Sequence, residues 1–246
     1  MNSSRILVTP RSVTQHGHSA LQELRDAGWE VVFCAPGRQP DEEELIRLLP
    51  GCVGYLAGVE KITARVLEVA TGLRVISRNG TGVDNVDTAA ARARGVVVCR
   101  AEGANARGVA ELAIGLMLAL ARAIPASDRA IKAGRWERQT GFELEGKTLG
   151  LIGCGRIGRL VAKMAAGLDL RVLAYDVAPT TDMAMAPLEE LFSMADVISL
   201  HCPAGEKPVV DAAALAQMKR GALLINTARA GLLDEAAVLA ALESGQ

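Results

Sequence analysis

Short apolar runs alternate with amphipathic stretches along most of this chain. "RILVT" from Arg5, "VVFC" from Val31, "CVGYL" from Cys52, "RVIS" from Arg74 and "VVVC" from Val96 are nearly continuous apolar segments of strand length. Helical patterns are predicted between them over residues 19–27, from the acidic start "DEEELIRLL" at Asp41, over 63–70 and over 87–94. Strands that are apolar on both faces and separated by helices imply a parallel sheet covered on both sides. The first block is therefore expected to be a complete five-strand α/β unit.

The pattern changes over residues 108–123, "GVAELAIGLMLALARA", which predict one long helix that is apolar around most of its surface. Such a helix is expected to be buried, between domains or between subunits. The polar, basic stretch that follows, "SDRAIKAGRWERQT" with Trp136, reads either as a surface helix and loop or as an arm packed on a second subunit. The α/β alternation then restarts. Strands are predicted at "TLGLIG" (Thr148), "RVLAY" (Arg171), "VISLH" (Val197) and "ALLIN" (Ala222), with helices over 157–166, 188–193, 212–217 and 234–242. Two doubly wound parallel-sheet domains are the expected fold class, as two lobes with a ligand cleft at strand ends.

Composition narrows the functional classes. Half of the 246 residues are hydrophobic, and the net charge is −1, so no general attraction to nucleic acid or an anionic membrane is implied. "MNSSRILVTP" has no apolar run of signal-peptide length. The most apolar stretch, 109–121, contains Glu111 and falls short of the roughly 20 residues a membrane span needs. Five cysteines make no CxxC pair, and "HGH" (His16, His18) has no further ligands nearby, so neither a metal site nor a disulfide frame is expected. A reduced, cytoplasmic protein is the natural class.

Three constellations carry chemistry. "GLIGCGRIGRL" spaces Gly153, Gly155 and Gly158 as G-x-G-x-x-G between a predicted strand and a predicted helix, with Arg156 and Ile157 on the turn. That context fits a dinucleotide pyrophosphate seated on a helix N-terminus. Asp176, 23 residues after Gly153, ends the next strand, where a carboxylate can accept from ribose hydroxyls and repel a 2′-phosphate; this argues for NAD over NADP. The second is "LLINTARAGLLDE", which sets Arg229 at a strand mouth, where a guanidinium can fork a carboxylate. The "RNGTG" loop follows another strand end, and its glycines can expose amides as an anion-binding nest.

"SRNGTGVDNVD" (77–87), "GLIGCGRIGRL" (150–160) and "NTARAGLLDE" (226–235) make the chain resemble the D-isomer-specific 2-hydroxyacid dehydrogenase family, in its phosphoglycerate dehydrogenase-like branch. The resemblance implies a flavodoxin-like substrate domain (1–102) and a Rossmann NAD-binding domain (103–246). The second domain includes an interdomain and dimerisation helix and arm (105–140). It implies hydride transfer between NAD and a D-2-hydroxy or 2-keto acid, with 3-phosphoglycerate or a similar small acid as substrate. Arg229 would be catalytic and substrate-binding, with Arg78, Asn79 and Gly80 also on the substrate. Thr81, His201, Cys202, Thr227, Ala228 and Arg229 would join the glycine loop and Asp176 at the cofactor. A homodimer is implied. Relatives that act as NAD(H)-sensing corepressors supply an alternative reading without turnover.

The sequence departs from the family in three places. The resemblance puts a catalytic Glu and His past Gln246, with one more strand and the closing helix. The chain is thus expected to be C-terminally truncated, to bind NADH weakly and to turn over little alone. The stretch between Asp176 and Leu188 is short for the family. For a substrate phosphate, Lys61, Arg78 and Arg138 are the matching bases, but "AGVEK" sets Gly58 where a base is expected.

Overall fold

The structure, a computed structural model, describes residues 4–246. Met1, Asn2 and Ser3, counted in the first domain above, lie outside the described residues. The chain forms two compact units, one ending at Asn105 and one spanning Ala106–Gln246.

The first unit runs β1 (Arg5–Val8), α1 (Arg11–His16), α2 (Ala20–Asp26), β2 (Glu30–Phe33), α3 (Glu42–Leu48), β3 (Cys52–Ala57), α4 (Ala64–Val69), β4 (Val75–Arg78), α5 (Thr88–Ala93) and β5 (Val97–Arg100). Its five strands are all parallel, in the order β2-β1-β3-β4-β5. Three helices begin where a side chain can satisfy an otherwise unpaired amide. Asp41 accepts from Glu44 N at 2.8 Å, Thr63 from Val66 N at 3.3 Å and Asp87 from Ala90 N at 2.8 Å. Each such cap contributes about 1 kcal/mol. Leu7, Leu45, Tyr55, Ile62 and Ile76 lie in this unit's core, at 0–1% exposure.

The second unit opens with α6 (Ala106–Ala121) and α7 (Ile124–Lys132). The break between them falls at Ala123, which is left-handed (φ 51°) and ends the long apolar helix two residues earlier than its pattern suggests. β6 (Thr148–Ile152), α8 (Arg156–Ala166), β7 (Arg171–Tyr175), α9 (Leu188–Met194), β8 (Val197–Leu200), α10 (Ala212–Gln217), β9 (Leu223–Asn226), a 3₁₀ turn (Ala230–Leu232) and α11 (Glu235–Ser244) follow. The sheet is parallel, in the order β7-β6-β8-β9. The short segment after Asp176 supplies one parallel bridge, Met185 beside Ala174, at the outer edge of β7. α6 buries Ala110, Ala113 and Met117 against this unit's core, while Leu112, Leu116 and Leu120 on another face are 39–55% exposed. No single helix among the described residues is long and apolar enough to cross a membrane.

Candidate functional site

The turn after β6 is built by close approach. Gly153 has φ 101°, and a Cβ there would meet the His201 carbonyl carbon at 2.6 Å, so the turn lies directly on the strand end of β8. A Cβ on Gly158 would lie 2.0 Å from the Gly153 carbonyl oxygen, so only glycine lets α8 start this close to β6. Gly155 differs: it caps α8, and a Cβ there would meet nothing within 4 Å. Its backbone therefore faces open space at the positive end of an eleven-residue helix. Arg156 and Ile157 form the first residues of that helix.

A cavity of about 390 Å³ opens here, beyond the carboxyl ends of β6, β7 and β8. Gly153, Gly155, Asp176, His201 and Cys202 line it, as expected from the sequence. Tyr175, Val177, Leu188, Pro203, Lys207 and Val209 line it too, and no motif pointed to them. Tyr175, Val177 and Pro203 could have been suspected from their place at a strand end; Leu188, Lys207 and Val209, at the start of α9 and in the loop after β8, carried no signal. Asp176 is fixed at the rim: Oδ2 accepts from Cys154 N at 2.6 Å and Oδ1 from Ala178 N at 2.9 Å. His201 Nε2 lies 2.8 Å from Ser199 Oγ. Burial lowers the His201 pKa to about 4, so the ring is neutral at pH 7. Burial, then the charge of Asp176, raises the Cys154 thiol; burial likewise raises Cys202, so neither is a ready thiolate.

The turn after β9 holds itself in shape. Asn226 Oδ1 accepts from Ala228 N at 3.0 Å, and Asn226 Nδ2 donates to the Arg229 carbonyl at 2.8 Å. Arg229 is exposed and extended (φ −140°), and its Nη1 donates to the Ala228 carbonyl at 2.9 Å. Thr227 Oγ1 is buried with no hydrogen-bond partner among the described residues. An orphaned hydroxyl at a strand end, a glycine facing open space and an acid fixed on the cavity rim are what a bound dinucleotide would complete.

In the first unit the loop after β4 carries Asn79, Gly80 and Thr81. Thr81 Oγ1 donates to the Ala101 carbonyl at 3.3 Å. Two amides expected for the nest are engaged internally, Asn79 N with the Ala57 carbonyl and Gly80 N with that of Arg78, each at 2.9 Å. Arg78 does not stand open to a ligand as the sequence suggested. It is 8% exposed, and its guanidinium donates to the carbonyls of Gly82 (3.0 Å) and Gly58, holding the loop from beneath. Lys61 and Arg138 are exposed. No group of three or more metal-ligating side chains occurs among the described residues.

A glycine turn on a helix start, beyond the strand ends of a doubly wound sheet and flanked by a rim carboxylate, defines a dinucleotide-binding protein. Residues 114–246 match the family described as D-isomer specific 2-hydroxyacid dehydrogenase, NAD binding domain, and the chain belongs to that family. Hydroxypyruvate reductase of Thermotoga maritima is 41% identical over 214 residues, which is 84% of this chain and 70% of that protein. D-3-phosphoglycerate dehydrogenase of Rattus norvegicus is 39% identical over 234 residues, 91% of this chain but only 43% of that protein. Among solved structures, a Thermus thermophilus protein superposes with a TM-score of 0.90 at 38% identity, over 97% of this chain and 78% of the other. The relatives carry reductase and dehydrogenase names, which favours the enzyme over the sensing alternative.

Proposed function

We propose that the protein is an NAD-dependent D-2-hydroxyacid dehydrogenase that interconverts a small 2-hydroxy acid and its 2-keto acid. The observation that carries this reading is the NAD-type cavity at the β6–β8 strand ends, with Asn226–Arg229 placed at the end of the neighbouring strand β9. NAD, when bound, would supply or accept the hydride at substrate C2, while the hydroxyl proton is exchanged with water. The chain's own residues bind and orient. Gly155 and the start of α8, with Arg156 and Ile157, receive the pyrophosphate, and Asp176 takes the ribose hydroxyls. His201 and Cys202 line the cavity, and Thr227 and Ala228, which follow β9, would contact the cofactor as well, as would Thr81. Arg229 forks the substrate carboxylate and polarises the keto oxygen, the catalytic role a guanidinium suits because it stays charged when partly desolvated. In the first unit, Asn79 and Gly80 are the proposed substrate contacts, and Arg78 holds their loop from beneath.

The same reading includes a cytoplasmic homodimer built on α6, since Leu112, Leu116 and Leu120 leave an apolar stripe exposed at helical spacing. Stopped-flow absorbance at the reduced-nicotinamide band, with a panel of 2-keto acids and the full-length protein, tests the reaction. NADH consumption with at least one acid is expected; none with any would count decisively against it.

A further inference from the structure

The two sheets are wound alike. In each, the second strand lies on one side of the first and the third strand on the other, giving β2-β1-β3 and β7-β6-β8. Where the winding reverses, a parallel sheet leaves a crevice beyond the carboxyl ends of the first and third strands, the usual seat of a ligand. In the second unit that crevice belongs to the 390 Å³ cavity. In the first unit the same position is filled by the protein itself.

The filler is Glu60, only 1% exposed. Its Oε1 accepts from Tyr55 Oη at 2.6 Å, from Gly58 N at 2.8 Å and from the Thr9 hydroxyl. Thr9 follows β1, Tyr55 lies in β3 and Gly58 follows it, so the donors come from both strands that frame the crevice. Thr9 and Tyr55 are also 1% exposed. Two hydroxyls and a strand-end amide aimed at one oxygen form a receptor for an anion. A Cβ on Gly58 would lie 2.7 Å from Glu60 Oε2 and 3.3 Å from Pro10 Cα, so little space is left over. Burial, and then the Glu60 charge, push the Tyr55 hydroxyl well above its ordinary pKa, which keeps it a donor.

The neighbouring groups are committed as well. Asn85 Nδ2 donates to the Glu60 carbonyl at 2.6 Å, and Arg78 is spent on loop carbonyls. Lys61 is exposed, and one solvated, screened charge does not replace a buried set of donors.

We propose that Glu60 is a resident anion occupying the first unit's ligand crevice, and that it makes the protein select 2-keto acids with a single anionic group over those bearing a second, phosphate, group. The selectivity rests on the dehydrogenase reading; the filled crevice does not. A phosphate brought to these strand ends finds its donors taken and meets a carboxylate instead.

Two measurements test this. In the first, inorganic phosphate is titrated during thermal unfolding at constant ionic strength and saturating NADH, which occupies the phosphate seat at the start of α8. The native protein should show no saturable shift. Glu60→Ser, which empties the crevice and leaves its donors, should gain one, and adding Tyr55→Phe should remove it. In the second, kcat/KM of the full-length protein is compared for hydroxypyruvate and its 3-phosphate. The native protein should favour the unphosphorylated acid by about tenfold or more, the effect of one like charge nearby in a partly screened site. Glu60→Gln, which keeps the shape without the charge and serves if Glu60→Ser does not fold, should narrow that ratio severalfold. A saturable phosphate shift in the native protein, a native preference for the phosphorylated acid, or an unchanged ratio in Glu60→Gln would each overturn the proposal. No turnover of either acid would remove the dehydrogenase reading and the selectivity with it, while the phosphate titration would still decide whether the crevice is filled.

Discussion

His201 is a histidine whose folded environment disfavours its charge. The folded pKa, about 4, lies below the ordinary 6.5, so the unfolded chain binds more protons between those values. The stability this contributes is fully present above pH 6.5 and is lost as pH falls toward 4. It amounts to something on the order of 2 kcal/mol. His201→Gln keeps a polar nitrogen near Ser199 but does not titrate. Urea midpoints measured from pH 7 to pH 4 should therefore fall less steeply for this variant than for the native protein, and parallel slopes would refute the assignment. Arg229 makes a different kind of contribution. Arg229→Lys keeps a charge but loses the planar fork, so kcat/KM for the keto acid should drop about 10–100-fold, the cost of one or two charge-assisted hydrogen bonds. NADH affinity, measured by calorimetric titration, should stay within about twofold. An equal loss of both would make Arg229 a cofactor residue only.

At the scale of elements, the start of α8 has the least tolerance. Gly158→Ala must displace the Gly153 carbonyl, which carries the turn that faces the cavity. A loss of more than 2 kcal/mol in unfolding free energy is expected, or about a hundredfold weaker NADH binding if the turn yields instead. A variant that binds and folds normally would mean that the helix can slide. This turn was legible in the sequence because sterics leave few residues able to make it. The strands were equally legible, since a sheet covered on both faces demands continuous apolar runs. α1 was not: it buries no residue, so it shows no periodicity to read. Nor was the fate of Arg78. An arginine in a glycine loop reads as a ligand group until the fold shows it turned beneath the loop onto carbonyls. Glu60 gave no signal either, because its three donors are scattered between Thr9 and Gly58 and meet only when β1 and β3 pair.

On the whole-molecule scale, the exposed stripe on α6 is the test of assembly. Sedimentation equilibrium at micromolar concentration should give about twice the 25.8 kDa chain mass. Leu116→Glu places a charge in the middle of that stripe and should halve the mass found for the native protein. A native monomer would sink the dimer.

The core of the first unit shares no residue with either core cluster of the second. Each compact unit is expected to open as its own cooperative block. NADH seated at β6–β8 should slow amide hydrogen exchange in β6–β9, by up to the hundredfold that ligand at about a hundred times Kd allows. Exchange in β1–β5 should barely change. Uniform protection across both sheets would mean that the two blocks open as one.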